Sequence, residues 1–99
     1  MAKWIVLGRL TDQGRRNARD IPKFRAQGRD RAKGMGVTFE SFLTMGRFDI
    51  IWIVDAPNEE AAATFIASIG QVGNATTETM RAFTEAEVDA MMERMPVRT

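Results

Sequence analysis

The chain contains no cysteine, no histidine and no tyrosine. Without cysteine, disulfides, thiolate nucleophiles and zinc–thiolate sites are excluded. Without histidine, the commonest general base and the commonest transition-metal ligand are both missing. With tyrosine gone as well, any proton transfer falls to Asp, Glu, Lys or Arg. Haem and zinc chemistry are disfavoured, no metal site or cofactor is expected, and binding or cofactor-free roles gain by elimination. No apolar run approaches the ~20 residues of a membrane span. Met1-Ala2-Lys3-Trp4 leads straight into strand-like sequence without a signal-peptide pattern, so a cytoplasmic location with no membrane contact is expected.

What is present suits one ordinary domain. Ninety-nine residues, 44% hydrophobic and 27% charged, suffice for a single core across residues 1–99 and not for two. The net charge of +1 is unevenly spread. Nine basic residues face three aspartates between Arg9 and Lys33, whereas three basic residues face eight acids from Asp55 onward. Such asymmetry fits an anionic partner, or simply a solvated basic helix beside an acidic one.

The organising stretch is Ile50-Ile51-Trp52-Ile53-Val54, apolar at every position. A strand of that kind must be covered on both faces. Before it, Lys3 to Leu10 reads as a first strand, with Gly8 marking a bulge or a close backbone approach. Thr11-Asp12-Gln13-Gly14 is turn and capping chemistry. Pro22 divides the next region into a short turn near Arg15 to Asp20 and a helix from about Pro22 to Lys33. The apolar face of this region, Ala18, Ile21, Phe24, Gly28 and Ala32, is thin, read as close packing on a sheet, and the helix stops at Gly34.

Val37 to Met45 is a second strand, whose shift in alternation at Glu40-Ser41 points to a bulge. Gly46-Arg47 then turns a hairpin into the strand Phe48 to Asp55. Asn58 caps a helix carrying Ala61, Ala62, Phe65, Ile66 and Ile69 at helical spacing and ending at Gly70. Ala75 to Phe83 is a fourth strand. Thr84-Glu85-Ala86-Glu87 has the form of a capping box, and a last helix bears Val88, Met91, Met92 and Met95 up to Pro96.

The order β-α-β-β-α-β plus a terminal helix predicts an α+β, ferredoxin-like fold with a four-stranded antiparallel sheet. Right-handed crossovers place both long helices on one face. The other face is bare and carries Trp4 or Trp52, Ile51 or Ile53, and Phe39 or Phe42; the sequence leaves open which. An apolar face of that size calls for cover. A homodimer packed sheet on sheet, or a higher homo-oligomer, supplies it. The terminal helix could alternatively fold over that face or extend across a partner.

Three stretches then resemble the GYD-domain family, small bacterial proteins of the dimeric α/β-barrel type. They are Ile5-Val6-Leu7-Gly8 through Leu10-Thr11-Asp12-Gln13-Gly14, Gly46-Arg47-Phe48-Asp49, and Gly73-Asn74 with Thr77-Glu78-Thr79-Met80-Arg81-Ala82-Phe83-Thr84. The resemblance spans roughly residues 3 to 88. It implies the dimeric barrel and carries no established activity. The tyrosine that names the family is Phe48 here, so any role of its hydroxyl is lost.

Candidate site residues are few. Arg47 and Asp49 flank Phe48 at the hairpin and form either a ligand-facing pair or a structural turn. Thr77, Thr79 and Arg81 share a face of the fourth strand. If that face lines the barrel, they make a polar wall with a guanidinium suited to a carboxylate or phosphate; if it faces the helices, Arg81 sits at the rim. Asp49 and Glu78 are the candidate catalytic carboxylates, with Asp12 beside a turn that can hold an anion. Gly34-Met35-Gly36 precedes a strand and is no nucleotide fingerprint. The basic residues Arg15 to Lys33 point at all angles round their helix, with only Phe24 interleaved, which argues against nucleic acid. Three functions remain: a dimeric binder of a small, anionic metabolite between or beside the sheets, a cofactor-independent enzyme of monooxygenase or isomerase type on a small organic substrate, and an assembly module without a pocket.

Overall fold

The computed structural model describes residues 1–98. The elements are β1 (Ala2–Leu10), α1 (Asp12–Arg16), a 3₁₀ turn (Ala18–Asp20), α2 (Ile21–Gly34), β2 (Thr38–Leu43), β3 (Ile50–Ala56), α3 (Glu59–Val72), β4 (Ala75–Ala82) and α4 (Glu85–Glu93). The strands form one sheet in the order β2-β3-β1-β4, antiparallel throughout. This is the α+β ferredoxin-like arrangement.

Local chemistry explains the boundaries. Pro22 sits in the first turn of α2, where its missing N–H has no helical acceptor to lose. Asn58 caps α3 by accepting the Ala61 N–H at 2.8 Å. Thr84 and Glu87 close the capping box of α4 from both sides. The helix capped by Asn58 does not stop at Gly70: α3 runs to Val72 and ends where Gly73 turns left-handed at φ 86°.

The register assigns the faces. Trp4 lies opposite Val54 and Val6 opposite Trp52, so both tryptophans point the same way. With Phe39, opposite Val54, they face α2 and α3. There Val6, Val54, Phe65, Ala62 and Ala32 are at most 1% exposed, and the rings of Phe39 and Phe65 stack at 5.3 Å. Burying a side chain the size of Phe65 contributes about 1.5–3 kcal/mol.

The opposite face carries Ile5, Leu7, Ile51 and Ile53 at its centre, with Phe42 and Met80 about half exposed beside them. No helix among the described residues covers them, and α4 has no buried residue. Around this apolar centre lie Lys3 paired to Asp55 at 2.9 Å, Arg9, Glu40 and Glu78.

Two expectations are corrected and one open alternative is decided. β2 pairs with β3 residue for residue from Thr38 to Leu43, so Glu40-Ser41 is no bulge; Phe39 and Phe42 are three apart and therefore on opposite faces. Gly8 is a close approach, not a bulge: a Cβ there would lie 2.4 Å from Cζ3 of Trp52. The β2–β3 connection is a six-residue loop rather than a tight hairpin, because β2 ends at Leu43 and β3 starts at Ile50. The loop is closed by the Thr44 N–H donating to the Asp49 carbonyl at 2.8 Å and Thr44 Oγ1 donating to the Phe48 carbonyl at 2.6 Å.

Candidate functional site

The hairpin residues are used by the fold. Asp49 Oδ2 accepts the Leu10 N–H at 2.8 Å, and the Asp49 N–H donates to the Gly8 carbonyl at the same distance. Asp49 thus extends the β1–β3 ladder by one side-chain rung. Because Arg47 and Asp49 lie in a loop, they do not share a strand face, and no ion pair joins them among the described residues. Arg47 stacks on Phe48 at 5.8 Å while Arg9 approaches the same ring at 5.1 Å. Both guanidiniums thus make cation–π contacts with the ring, each about 0.5–1 kcal/mol at an exposed site.

Thr77, Thr79 and Arg81 lie opposite Gly8, Val6 and Trp4, which puts them on the helix side of the sheet and away from its open face. Arg81 is at the rim and fully engaged. Its guanidinium lies over Trp4 at 5.0 Å and Phe83 at 4.3 Å, donates to the Lys3 and Ala82 carbonyls, and stands 3.9 Å from Glu87. Glu87 is held below the usual carboxylate range, first by the Thr84 N–H, then by the Thr84 hydroxyl, with Arg81 adding to the effect. Glu78 is exposed on the open face, and Asp12 is exposed on α1, bonded to Arg15 at 3.3 Å. The five sequence-flagged ligand residues therefore do not converge.

Two family-like stretches do meet, and they clasp. Thr11 Oγ1 donates to the Gly73 carbonyl at 2.7 Å, and the Thr11 N–H donates to the Asn74 carbonyl at 3.0 Å. Gln13 Nε2 donates to the Val72 carbonyl and to Asn74 Oδ1. Thr11-Asp12-Gln13-Gly14 thus ties the start of α1 to the end of α3.

A space that can hold a ligand lies elsewhere, between the helices and the sheet. A cavity of about 100 Å³ opens beneath α2 and α3. Its floor is Trp52 and Ile50 of β3 with Phe39 and Ser41 of β2; its roof is Phe24 and Gly28 of α2 with Phe65 and Ile69 of α3. Gly8 makes room for the Trp52 indole from below. Arg25, exposed, and Arg31, half-buried, border the opening, and no acidic side chain lines it. Arg31 Nε donates to Ser68 Oγ at 3.4 Å, a long bond that steadies the guanidinium.

Sequence reasoning missed Trp52, Arg25 and Arg31 as site residues. The available signal was the thin apolar face of α2, read as close packing; at Gly28 it leaves room instead. A Cβ on Gly28 would meet nothing nearer than Arg31 Nη2 and Phe39 Cζ, both at 3.7 Å.

Two solved structures share the fold. One, described as FFRP-DM1, is 19% identical, with 84% of this chain and 100% of that chain covered and a TM-score of 0.57. The other, hypothetical protein PHS023 from Pyrococcus horikoshii, is 20% identical, with 86% and 93% covered and a TM-score of 0.56. At such identities the likeness concerns the fold alone. No curated protein matches the chain. The GYD domain model matches residues 4–92, a span holding β1 from Trp4 onward, the other three strands and the clasp between Thr11-Asp12-Gln13-Gly14 and Gly73-Asn74, and the chain belongs to that family.

Proposed function

We propose that this protein is a small-molecule binder that acts as a homodimer, with one site per protomer beneath α2 and α3. The observation that carries the binding reading is the cavity itself, walled by aromatic rings and bordered by two guanidiniums. An apolar pocket with a few convergent polar groups is the usual form of a ligand site. The anionic ligand expected from the charge pattern fits this opening better than the open sheet face, where Arg9 is offset by Glu40, Glu78 and the Lys3–Asp55 pair. Binding is favoured over turnover because Asp12, Asp49 and Glu78 all lie outside the cavity wall, leaving no carboxylate there to move a proton.

The homodimer rests on the open face. Ile5, Leu7, Ile51 and Ile53 with a charged surround have the composition of an interface, apolar at the centre and polar at the rim. The radius of gyration of 15.7 Å exceeds the roughly 13 Å of a compact domain of this length, as suits a subunit whose outer elements await a neighbour.

Benzene tests the cavity, because a neutral apolar probe that binds only the folded state raises the melting temperature by mass action. A raised midpoint in benzene-saturated buffer is expected; an unchanged midpoint refutes the binding reading. Sedimentation velocity tests the assembly. A particle of twice the 11.1 kDa chain mass is expected, and a single-chain particle at micromolar concentration contradicts the dimer.

A further inference from the structure

The wall of the cavity narrows the ligand further, resting on the reading of that cavity as a binding site. We infer that the ligand is a small monocyclic aromatic carboxylate, its ring seated between Phe39, Phe24 and Trp52 and its carboxylate held at the opening by Arg31.

Size sets the first limit. The cavity holds about 100 Å³, against roughly 150 Å³ for an engineered apolar cavity that accepts benzene. A guest no larger than one ring enters it, and any polar substituent must remain at the opening. Shape sets the second. Four aromatic side chains, Phe24, Phe39, Trp52 and Phe65, contribute to the wall, and offset or edge-on contacts with them favour a planar guest.

Charge sets the third. Arg25 and Arg31 border the opening, no acid lines the cavity, and neither arginine belongs to an ion pair among the described residues. Other guanidiniums are differently engaged: Arg29 lies over Phe39 at 4.9 Å, Arg81 is held by Trp4, Phe83 and Glu87, and Arg15 bonds Asp12.

Geometry joins the ring site to the charge. Arg31 Nη2 and Phe39 Cζ both stand 3.7 Å from the point a Gly28 Cβ would occupy. Guanidinium and ring wall therefore both flank Gly28, a roof position that has no side chain. Ser68 takes Arg31 Nε, leaving the two terminal nitrogens to present a fork to a carboxylate. Arg25 adds a second positive charge and no assigned contact.

Titration calorimetry of the full chain with benzoate, benzyl alcohol and isovalerate tests the inference. Benzoate is expected to bind about tenfold or more tightly than benzyl alcohol, as a charged hydrogen-bond pair implies, and more tightly than isovalerate, which lacks the ring. Arg31→Met is expected to remove the preference for benzoate while leaving benzyl alcohol unchanged. Gly28→Ala, whose methyl fits without a clash, is expected to weaken both without lowering the melting temperature. Equal binding of benzoate and benzyl alcohol, or isovalerate as tight as benzoate, overturns the ligand class. If benzene stabilises the protein and benzoate does not bind, the class fails and the cavity stands as a site; if benzene also has no effect, the reading beneath it fails.

Discussion

Three glycines show how differently one residue type acts in this molecule. At Gly14 a Cβ would fall 2.0 Å from the Asn74 carbonyl oxygen, which is backbone and fixed by the clasp. At Gly8 it would fall on the Trp52 ring, which can shift only into the cavity. At Gly28 it would make ordinary contacts. Gly14→Ala should therefore cost about 1–3 kcal/mol or more by overpacking, read as a lower urea midpoint. Gly28→Ala should be neutral or stabilising by up to about 1 kcal/mol, since alanine is the better helix residue. Equal losses at both positions would contradict the assigned surroundings.

Asp49 belongs to the same scale. Asp49→Ala leaves the Leu10 N–H without its acceptor and should cost about 1–3 kcal/mol, whereas Asp49→Asn keeps an acceptor and should cost less. A ligand role alone would leave the stability of both variants unchanged.

At the scale of elements, the caps were legible and the cavity was not. Thr11, Asn58 and the Thr84–Glu87 box act within three residues of their partners, so spacing alone exposed them. The β-α-β-β-α-β order followed from periodicity and turn residues in the same way. Strand faces needed the register: the alternation of β1 and β3 is hidden when every position is apolar, and only the pairing of Trp4 with Val54 shows that both tryptophans face inward. The cavity is further removed, because Phe39, Phe65 and Gly28 meet only after α2 and α3 cross the sheet. Thr77, Thr79 and Arg81 form a polar strand face in the sequence, and the packing of Arg81 on Trp4 and Phe83 accounts for the arginine. Nothing in the structure explains the exposed Thr79.

The box at α4 carries the pH prediction. Folding lowers the Glu87 carboxyl below its ordinary value of 4.5, chiefly through the Thr84 N–H. The charged form is the one the fold favours, so its contribution is present above that value and is lost as pH falls through the lowered one. Carboxyl shifts of Glu87 followed by NMR should give a midpoint below 4.5, with the Thr84 amide signal moving in step. A midpoint at or above 4.5 would exclude the cap as its cause.

At the scale of the molecule, the two faces of the sheet take different work. The inner face, under α2 and α3, borders the cavity proposed as the ligand site; the outer face, left open by the helices, is the one proposed to meet a second copy. Ile53→Glu places a charge at the centre of the outer face, opposite Ile5 and clear of the cavity, and should yield a folded monomer, since burying an unpaired charge is costly. The variant should sediment as one chain and still respond to benzene. A dimer that survives this change would mean another surface joins the subunits.

The division of labour between the faces is tested most directly by two-dimensional NMR during a benzoate titration of the full chain. The Trp52 indole N–H and the Phe39 and Gly28 signals are expected to shift, while the methyls of Ile51 and Ile53 stay in place. Shifts confined to Ile51, Ile53 and Phe42, or no shift at Trp52 as benzoate saturates, would contradict it.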